Sequence, residues 1–443
     1  MSDRTGQSSV GLIVIINDAV FNDEAVLGFT MTSGINMLPY GTLKLSIAAP
    51  DKFDIKSGCY GMISFIRASD QSLNGKGFSI YIFECNLERD TEYTAIANIR
   101  WKLGTAMSMS QSSIALPGTS TDALETLFKS HEYTVNKMID PDVLGTDNDT
   151  MVWRIVNSNI EDAANYIVEH SYIPNDYLFW TFDEYQSAFV LATIKFVGNA
   201  SVKNAAVWNQ DAFNATGGAM YTDSNSGAIL WQFCQETRSD IKGEKREDVF
   251  PNLVFSTVTN GNAEVSMCKG GCFGIIAQQS GSKSNAVAKS EYQMDKDYTY
   301  GEMAVVEQFP MNTHPMYHVA KSLRNRAIGE YTKRMQITLE NEIGPAVGTV
   351  LVVATYPYNR SSGNTTPDMT YSDTYFVIAK QVQKSVGTSN GILGVEGGEN
   401  SASYKTVLTL VSANTDMMTQ TVRAMAAVAY VAKLGASIKA ENE

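Results

Sequence analysis

The stretch Met151–Lys195, MVWRIVNSNIEDAANYIVEHSYIPNDYLFWTFDEYQSAFVLATIK, constrains the fold more than any other part of the chain. Ser158 and Glu161 have the Ser-x-x-Glu spacing of a capping box, which satisfies backbone N–H groups at a helix start. Ile160, Ala163, Ala164, Ile167 and Val168 then fall at i, i+3, i+4, i+7 and i+8, a single apolar stripe on a helix. Pro174 cannot extend that helix, and Asn175-Asp176 has turn chemistry. Composition predicts a strand over Tyr177–Phe182, a turn over Asp183–Ser187 and a returning strand over Ala188–Lys195. Trp153, Tyr177, Phe179 and Trp180 are its bulky anchors, expected in the core or at a subunit interface. A helix packed on a hairpin fixes no function by itself.

The rest of the chain decides what that unit joins. Its 443 residues exceed one ordinary core and suit two or three domains. With 44% hydrophobic and 18% charged residues it belongs to the folded class. Acidic residues outnumber basic ones by 47 to 34, a net charge of −13. That disfavours standing nucleic-acid binding, which needs a basic face, and docking on anionic membranes. MSDRTGQSS lacks a signal-peptide pattern, which predicts folding in a reducing cytoplasm. The five cysteines are an odd, sparse set, expected as free thiols without a disulfide framework.

In chain order, strands are predicted at Gly11–Asn17, Leu27–Thr32, Thr42–Ala48, Gly61–Ile66, Phe78–Asn86 and Thr91–Trp101. Turn-forming stretches separate them at Leu38–Gly41, Asp70–Gly77 and Glu88–Asp90. Short strands at this spacing predict an antiparallel barrel, whose closure would remove exposed edges. Met107–Gly118 is polar and small, and Thr119 can cap a helix Asp122–Lys129. From Gly198 to Ser290 the pattern loosens into an expected inserted α+β lobe, ending with a helical stretch Tyr317–Lys333. Met335, Ile337 and Leu339 alternate with polar residues, followed by strands at Thr349–Thr355, Thr374–Gln381 and Tyr404–Ser412, a second barrel-type module. No repeat relates the two modules.

The expected fold class is therefore α+β, mainly β. Residues 9–105 form a first barrel, and 106–197 a helical link, brace helix and start of the second barrel. Residues 198–333 form the inserted lobe, 334–412 the remainder of the second barrel, and 413–443 a C-terminal helix. On that helix Val422, Met425, Ala429, Ala432 and Ala436 follow a 3-4 spacing suited to close packing. It reads as too short, and too interrupted by Arg423 and Lys433, for a membrane anchor.

Catalytic and metal patterns are weak. His314 and His318 are spaced i, i+4, but Pro315 stands where a metalloprotease needs its Glu. His170 reads as a residue favouring the negative end of its helix. Cys268-x3-Cys272 lacks two further ligands, with Cys234 the nearest in sequence. Asp140–Gly145 starts like a calcium loop, yet Leu144 and Met151 occupy ligand positions. No nucleophile elbow, phosphate loop or dinucleotide fingerprint is present. No catalytic, cofactor-binding or metal residue is assigned and no cofactor is expected, which fits a structural protein better than an enzyme.

The order of features resembles the central baseplate hub proteins of contractile-tailed phages, related to the tube-like N-terminal part of type VI secretion spike proteins. The likeness is carried by LPYGTLKLSIAAPDKFDIKSGCYGMISF (Leu38–Phe65) and SNIEDAANYIVEHSYIPNDYLFWTFDEYQSAF (Ser158–Phe189). The third part is RMQITLENEIGPAVGTVLVVATY with DTYFVIAKQV and YKTVLTLV. The resemblance implies a non-enzymatic virion protein, a homotrimer whose paired barrels form a pseudo-six-fold ring. That ring would adapt a hexameric tail tube to a trimeric central spike, touching the tail tube protein, the spike protein, other baseplate proteins and a tape-measure protein. It further implies assembly in the host cytoplasm, a piercing tip on a separate chain, and passage of DNA through a lumen that the acidic balance suits. The alternatives are the spike base of a contractile secretion system, or a cell-wall hydrolase of the tail with a Cys or His centre.

Overall fold

The computed structural model describes residues 10–48, 54–67, 76–104, 110–139, 149–194, 202–208, 220–240, 331–356, 367–386, 402–413 and 417–442. A few single positions within these spans are excepted, and three short strands lie between 258 and 278. The fold is α+β and mainly β.

The first sheet contains β1 (Val10–Ile16), β2 (Ala19–Phe21), β3 (Val26–Gly34), β4 (Met37–Ala48), β5 (Tyr60–Arg67), β6 (Phe78–Arg89) and β7 (Thr94–Leu103). All its pairings are antiparallel, in the order β3-β4-β7-β6-β5-β1-β2. Every second side chain points inward, so Leu12, Val14 and Ile16 meet Phe29, Phe65, Phe78 and Trp101 in one core. The expected turn at Leu38–Gly41 is strand instead: the chain reverses at Ile35-Asn36, where Asn36 takes φ 54°. Asn tolerates that left-handed conformation, so Pro39-Tyr40-Gly41 can lie within β4. β6 likewise runs through Glu88 to Arg89.

Gly41 shows why β4 can sit there. A Cβ on it would lie 1.8 Å from the Thr30 carbonyl oxygen and 3.0 Å from the Trp101 ring. Gly41→Ala should therefore force β3 and β4 apart. The expected loss lies at or above the top of the ~1–3 kcal/mol range for overpacking, read as a lowered urea midpoint.

The link holds β8 (Ser112–Gly118), α1 (Ser120–Lys129), β9 (Thr134–Met138), β10 (Met151–Ser158), α2 (Ile160–His170), β11 (Leu178–Asp183) and β12 (Ala188–Thr193). Thr119 caps α1 in a capping box with Asp122. The cap of α2 is Asn159, not Ser158: Asn159 Oδ1 accepts from the Asp162 N–H at 2.9 Å. Ser158 ends β10, which pairs with β8, a pairing the polar sequence of Met107–Gly118 did not signal. Glu161 is thereby freed from capping; it accepts from Leu38 N and pairs with Lys102. The β11–β12 hairpin does not lead into the second sheet. β9 pairs parallel with β12, making a separate three-stranded sheet.

Further along come β13 (Asn204–Trp208), β14 (Met220–Thr222), β15 (Ile229–Phe233), β16 (Gln235–Asp240), β17 (Val258–Asn260), β18 (Ala263–Val265) and β19 (Ala277–Gln278). They are followed by β20 (Tyr331–Glu340), β21 (Val350–Ala354), β22 (Asp373–Val386), β23 (Ala402–Ala413) and α3 (Met417–Asn442). β13 lies between β15 and β21, parallel to both, and β16 pairs with β20. The segment expected to begin an inserted lobe at residue 198 thus supplies strands to the second sheet as far as Asp240. The remainder of that lobe lies largely outside the described residues, and Tyr331–Lys333, expected as helix, begins β20.

Both sheets belong to one 15-stranded pairing network, in which twelve strands run as an open path from β14 to β2 and β23, β20 and β16 branch from β22. α3 lies within the expected C-terminal segment, and by length and composition alone Thr419–Ile438, with mean hydropathy 1.2, is long and apolar enough to cross a membrane. The stripe Ala427, Val431, Leu434 and Ile438 packs on Ala205, Leu230, Val352 and Ala354 of the sheet, and Ala424 on the same face is buried. The face anticipated for packing is the opposite one: Val422 and Met425 are exposed, as are Ala429, Ala432 and Ala436.

Candidate functional site

The described residues converge on one junction, where strand β22 passes from the second sheet into the first. Along one edge, Asp373–Phe376 pairs with β21 and Ala379–Ser385 pairs with β3. The other edge pairs with β23 from Phe376 to Val386. A bulge at Ile378 marks the change of partner, and the Ile378 carbonyl accepts from the Ile35 N–H at 3.0 Å. Bulges bend a strand and re-aim it. One strand therefore makes both sheets a single hydrogen-bonded unit.

Beyond the bulge, β22 turns Lys380, Val382 and Lys384 inward at period two. The Lys380 ammonium is fully buried against the Glu184 carboxylate, donates to Pro345 O at 3.0 Å and lies over the Tyr185 ring. Tyr185 in turn donates to Gly344 O at 2.6 Å. Burial pushes the Glu184 carboxyl up, while Lys380 pulls it the other way. Its second oxygen has no hydrogen-bond partner among the described residues. Lys384, four residues on, meets Asp23 Oδ2 at 2.8 Å. Asp23 also accepts from the Leu12 N–H at 2.8 Å and from the Tyr404 hydroxyl. Burial pushes the Lys384 ammonium down, opposed by Asp23. These carboxylates come from different units: Glu184 from the hairpin turn, Asp23 from the first sheet.

Tyr177, Phe179 and Trp180 belong to this junction. Asn36 Oδ1 accepts from Trp180 N at 3.0 Å, Trp180 O accepts from Asn36 N at 2.8 Å, and Asn36 Nδ2 donates to the Tyr177 hydroxyl at 2.9 Å. This use of the β11 edge by the β3–β4 turn explains why the hairpin stays out of the second sheet. The Trp180 indole donates to Asn165 Oδ1 on α2 at 3.0 Å, and its ring lies 5.5 Å from that of Phe128. Phe179 packs edge-on to Phe376 of β22 at 5.3 Å. Trp153 stands apart in β10, buried, donating to Gly118 O at 3.0 Å. Asn36, Glu184, Lys380 and Lys384 are the junction residues that sequence reasoning missed. For Asn36 the signal was its tolerance of positive φ; for the lysines there was none.

The junction holds elements in register and shows no reacting pair. Among the described residues no three His, Cys, Asp or Glu side chains gather as a metal site. His170 Nδ1 lies 2.8 Å from Tyr166 O at the end of α2. His131 Nδ1 lies 3.0 Å from Leu127 O. Burial, with Glu340 beside it, pushes the Cys234 thiol up to about 12, far from a nucleophile's range. His314, His318, Cys268, Cys272 and Asp140–Gly145 lie outside the described residues.

No protein-family model matches the chain, and no curated protein sequence matches it. Its structural neighbours are phage tail and baseplate proteins and type VI secretion proteins. The tail protein from Neisseria meningitidis MC58 is similar at 10% identity and TM-score 0.48, covering 94% of this chain and 99% of its own. The 43 kDa tail protein of prophage MuSo2 from Shewanella oneidensis is similar at 10% identity and TM-score 0.46, covering 91% and 97%. The E. coli c3393 protein is similar at 7% identity and TM-score 0.45, covering 91% of this chain and 77% of its own. It is a component of the type VI secretion system with structural similarity to T4 bacteriophage tail proteins gp27 and gp5.

Proposed function

We propose that this chain is a structural protein of a contractile phage tail, a baseplate hub in which three copies close into a ring. Each copy supplies two barrel-type modules, residues 9–105 and the second sheet, so that three chains present six similar positions to a tail tube. The observation that carries this reading is the passage of β22 through both sheets, clasped by Lys380 and Lys384. A chain that contributes two positions to a ring must hold them at one fixed angle, because a rotation that varies does not close. A continuous strand with a bulge at the transfer point holds such an angle better than a linker would. The ring adapts the tube to a three-fold spike, and its acidic bore lets DNA pass without adhering. Trp153, Tyr177, Phe179 and Trp180, fully buried within one chain, serve packing inside the subunit.

Sedimentation of the full-length chain is expected to give three times the chain mass, and electron microscopy a ring with an acidic central channel. A monomer at all concentrations, a basic bore, or release of soluble fragments from purified peptidoglycan would overturn the reading.

A further inference from the structure

We propose that Cys59 and Cys85 form a closable dithiol, a modification site that becomes an intrachain disulfide when a small-molecule disulfide supplies the oxidising equivalents. The geometry starts with the turn Lys56-Ser57-Gly58-Cys59, where Cys59 N donates to Lys56 O at 3.2 Å and Gly58 takes φ 92°. Gly58 N donates to Ile82 O at 2.8 Å, and Ile82 N donates to Cys59 O at 3.0 Å. That pattern is a glycine bulge, with Gly58 and Cys59 together facing Ile82. It puts Cys59 opposite the buried Ile82, at the mouth of β5.

A second irregularity brings Cys85 round. In β6, Ile82 pairs with Trp101, Glu84 with Arg100 and Cys85 with Ile99, so Phe83 is an extra residue. Cys85 therefore returns to the inward face shared by Ile82, two ladder positions further on. Its N–H donates to Ser57 Oγ at 2.9 Å, fixing it beside the turn that carries Cys59. Both thiols then address consecutive carbonyls of one short segment: Cys59 Sγ lies 3.5 Å from Asp54 O, and Cys85 Sγ lies 3.8 Å from Ile55 O. Diagonal neighbours on adjacent strands are about 7–8 Å apart. A disulfide needs about 5.5–6 Å between Cα atoms. Closure thus draws the exposed Lys56–Gly58 turn toward β6 by roughly 1–2 Å.

Cys85 is the more accessible thiol and takes the first step. Its thiolate attacks a sulfur of oxidised glutathione, forming a mixed disulfide and expelling one glutathione thiolate. The Cys59 thiolate, to which Asn17 Nδ2 donates at 3.2 Å, then attacks the Cys85 sulfur and expels the second glutathione. Two protein thiols are oxidised, one small disulfide is reduced to two thiols, and the cysteine protons pass to the expelled thiolates. Burial and the neighbouring Cys59 raise the Cys85 thiol above its ordinary value, so closure should quicken as pH rises.

The test incubates the reduced full-length chain with oxidised glutathione at pH about 7 and about 9. Unfolding, alkylation and peptide mapping follow. Expected are a linked Cys59–Cys85 peptide lighter by two hydrogens, faster linkage at the higher pH, and a rise in melting temperature that dithiothreitol reverses. In Cys59→Ser, glutathione should remain attached at Cys85. Alkylation of both cysteines after prolonged oxidation, permanent glutathione at wild-type Cys85, or linkage of either to another cysteine would overturn the proposal. The assay reads a chemical bond within one chain, so its failure leaves the ring reading standing.

Discussion

Replacing Lys380 with methionine is expected to cost about 3–5 kcal/mol of stability, because it strands the Glu184 carboxylate in the core without its cation. The loss should appear as a lowered urea midpoint at unchanged denaturant slope. It should also change the pH dependence in a definite direction. A carboxyl whose folded value lies above its ordinary 4.5 contributes stability that is full below 4.5 and lost as pH rises through the folded value. Removing the ammonium raises the folded value further, so Lys380→Met should lose more stability than the native chain between mild acid and neutrality. Glu184→Gln in the same background should abolish that extra slope. The double variant Lys380→Met/Glu184→Leu should recover most of the loss, since apolar replacement of a buried pair is often neutral or better. If Lys380→Met alone unfolds at the native urea midpoint, the pair is not the clasp its burial indicates.

The double variant also separates stability from register. Hydrophobic residues could supply the burial, and Val382 already opposes a slip of β22, but a lysine opposite a carboxylate adds a charge penalty to it. A one-residue slip turns every side chain of a strand to the other face. Here it would push Lys380 and Lys384 away from Glu184 and Asp23 together. We therefore expect the double variant to fold yet assemble less uniformly than the native chain.

The first sheet was legible because its strands alternate cleanly. Leu12, Val14 and Ile16 are all buried, as their spacing required. The same rule concealed β22 beyond Gln381, since a lysine at an inward position reads as solvent-facing and breaks the alternation. On α3 the 3.5-residue spacing occurs on two opposite faces, and alanine serves either. Only the sheet below, with Ala205, Leu230 and Val352, selects Ala427, Val431 and Leu434 over Val422 and Met425. The cap of α2 shifted by one residue because Ser158 and Asn159 are both good caps, and β10 claims Ser158. The junction itself was half visible: its aromatic side chains stand out in sequence, whereas Asn36 lies 144 residues from its partner Trp180.

Trp180→Ala carries the other large expected effect, about 3–5 kcal/mol for truncating a fully buried tryptophan. The cavity would open between Phe128 of α1 and Phe189 of β12, whose ring lies 5.8 Å from the indole. Asn165 Oδ1 would lose its donor, a further cost for a polar atom left inside. Trp180→Phe keeps most of the apolar contact and loses the indole N–H, so its penalty should be clearly smaller. The backbone bonds between residue 180 and Asn36 do not depend on the side chain and should persist in both variants. The damage should therefore start in the link, with hydrogen exchange rising first in α1, α2 and β12 and only later in the first sheet. If both variants match the native chain in stability and assembly, the Trp180 packing does not organise the junction, and the pairs of Lys380 with Glu184 and Lys384 with Asp23 carry it.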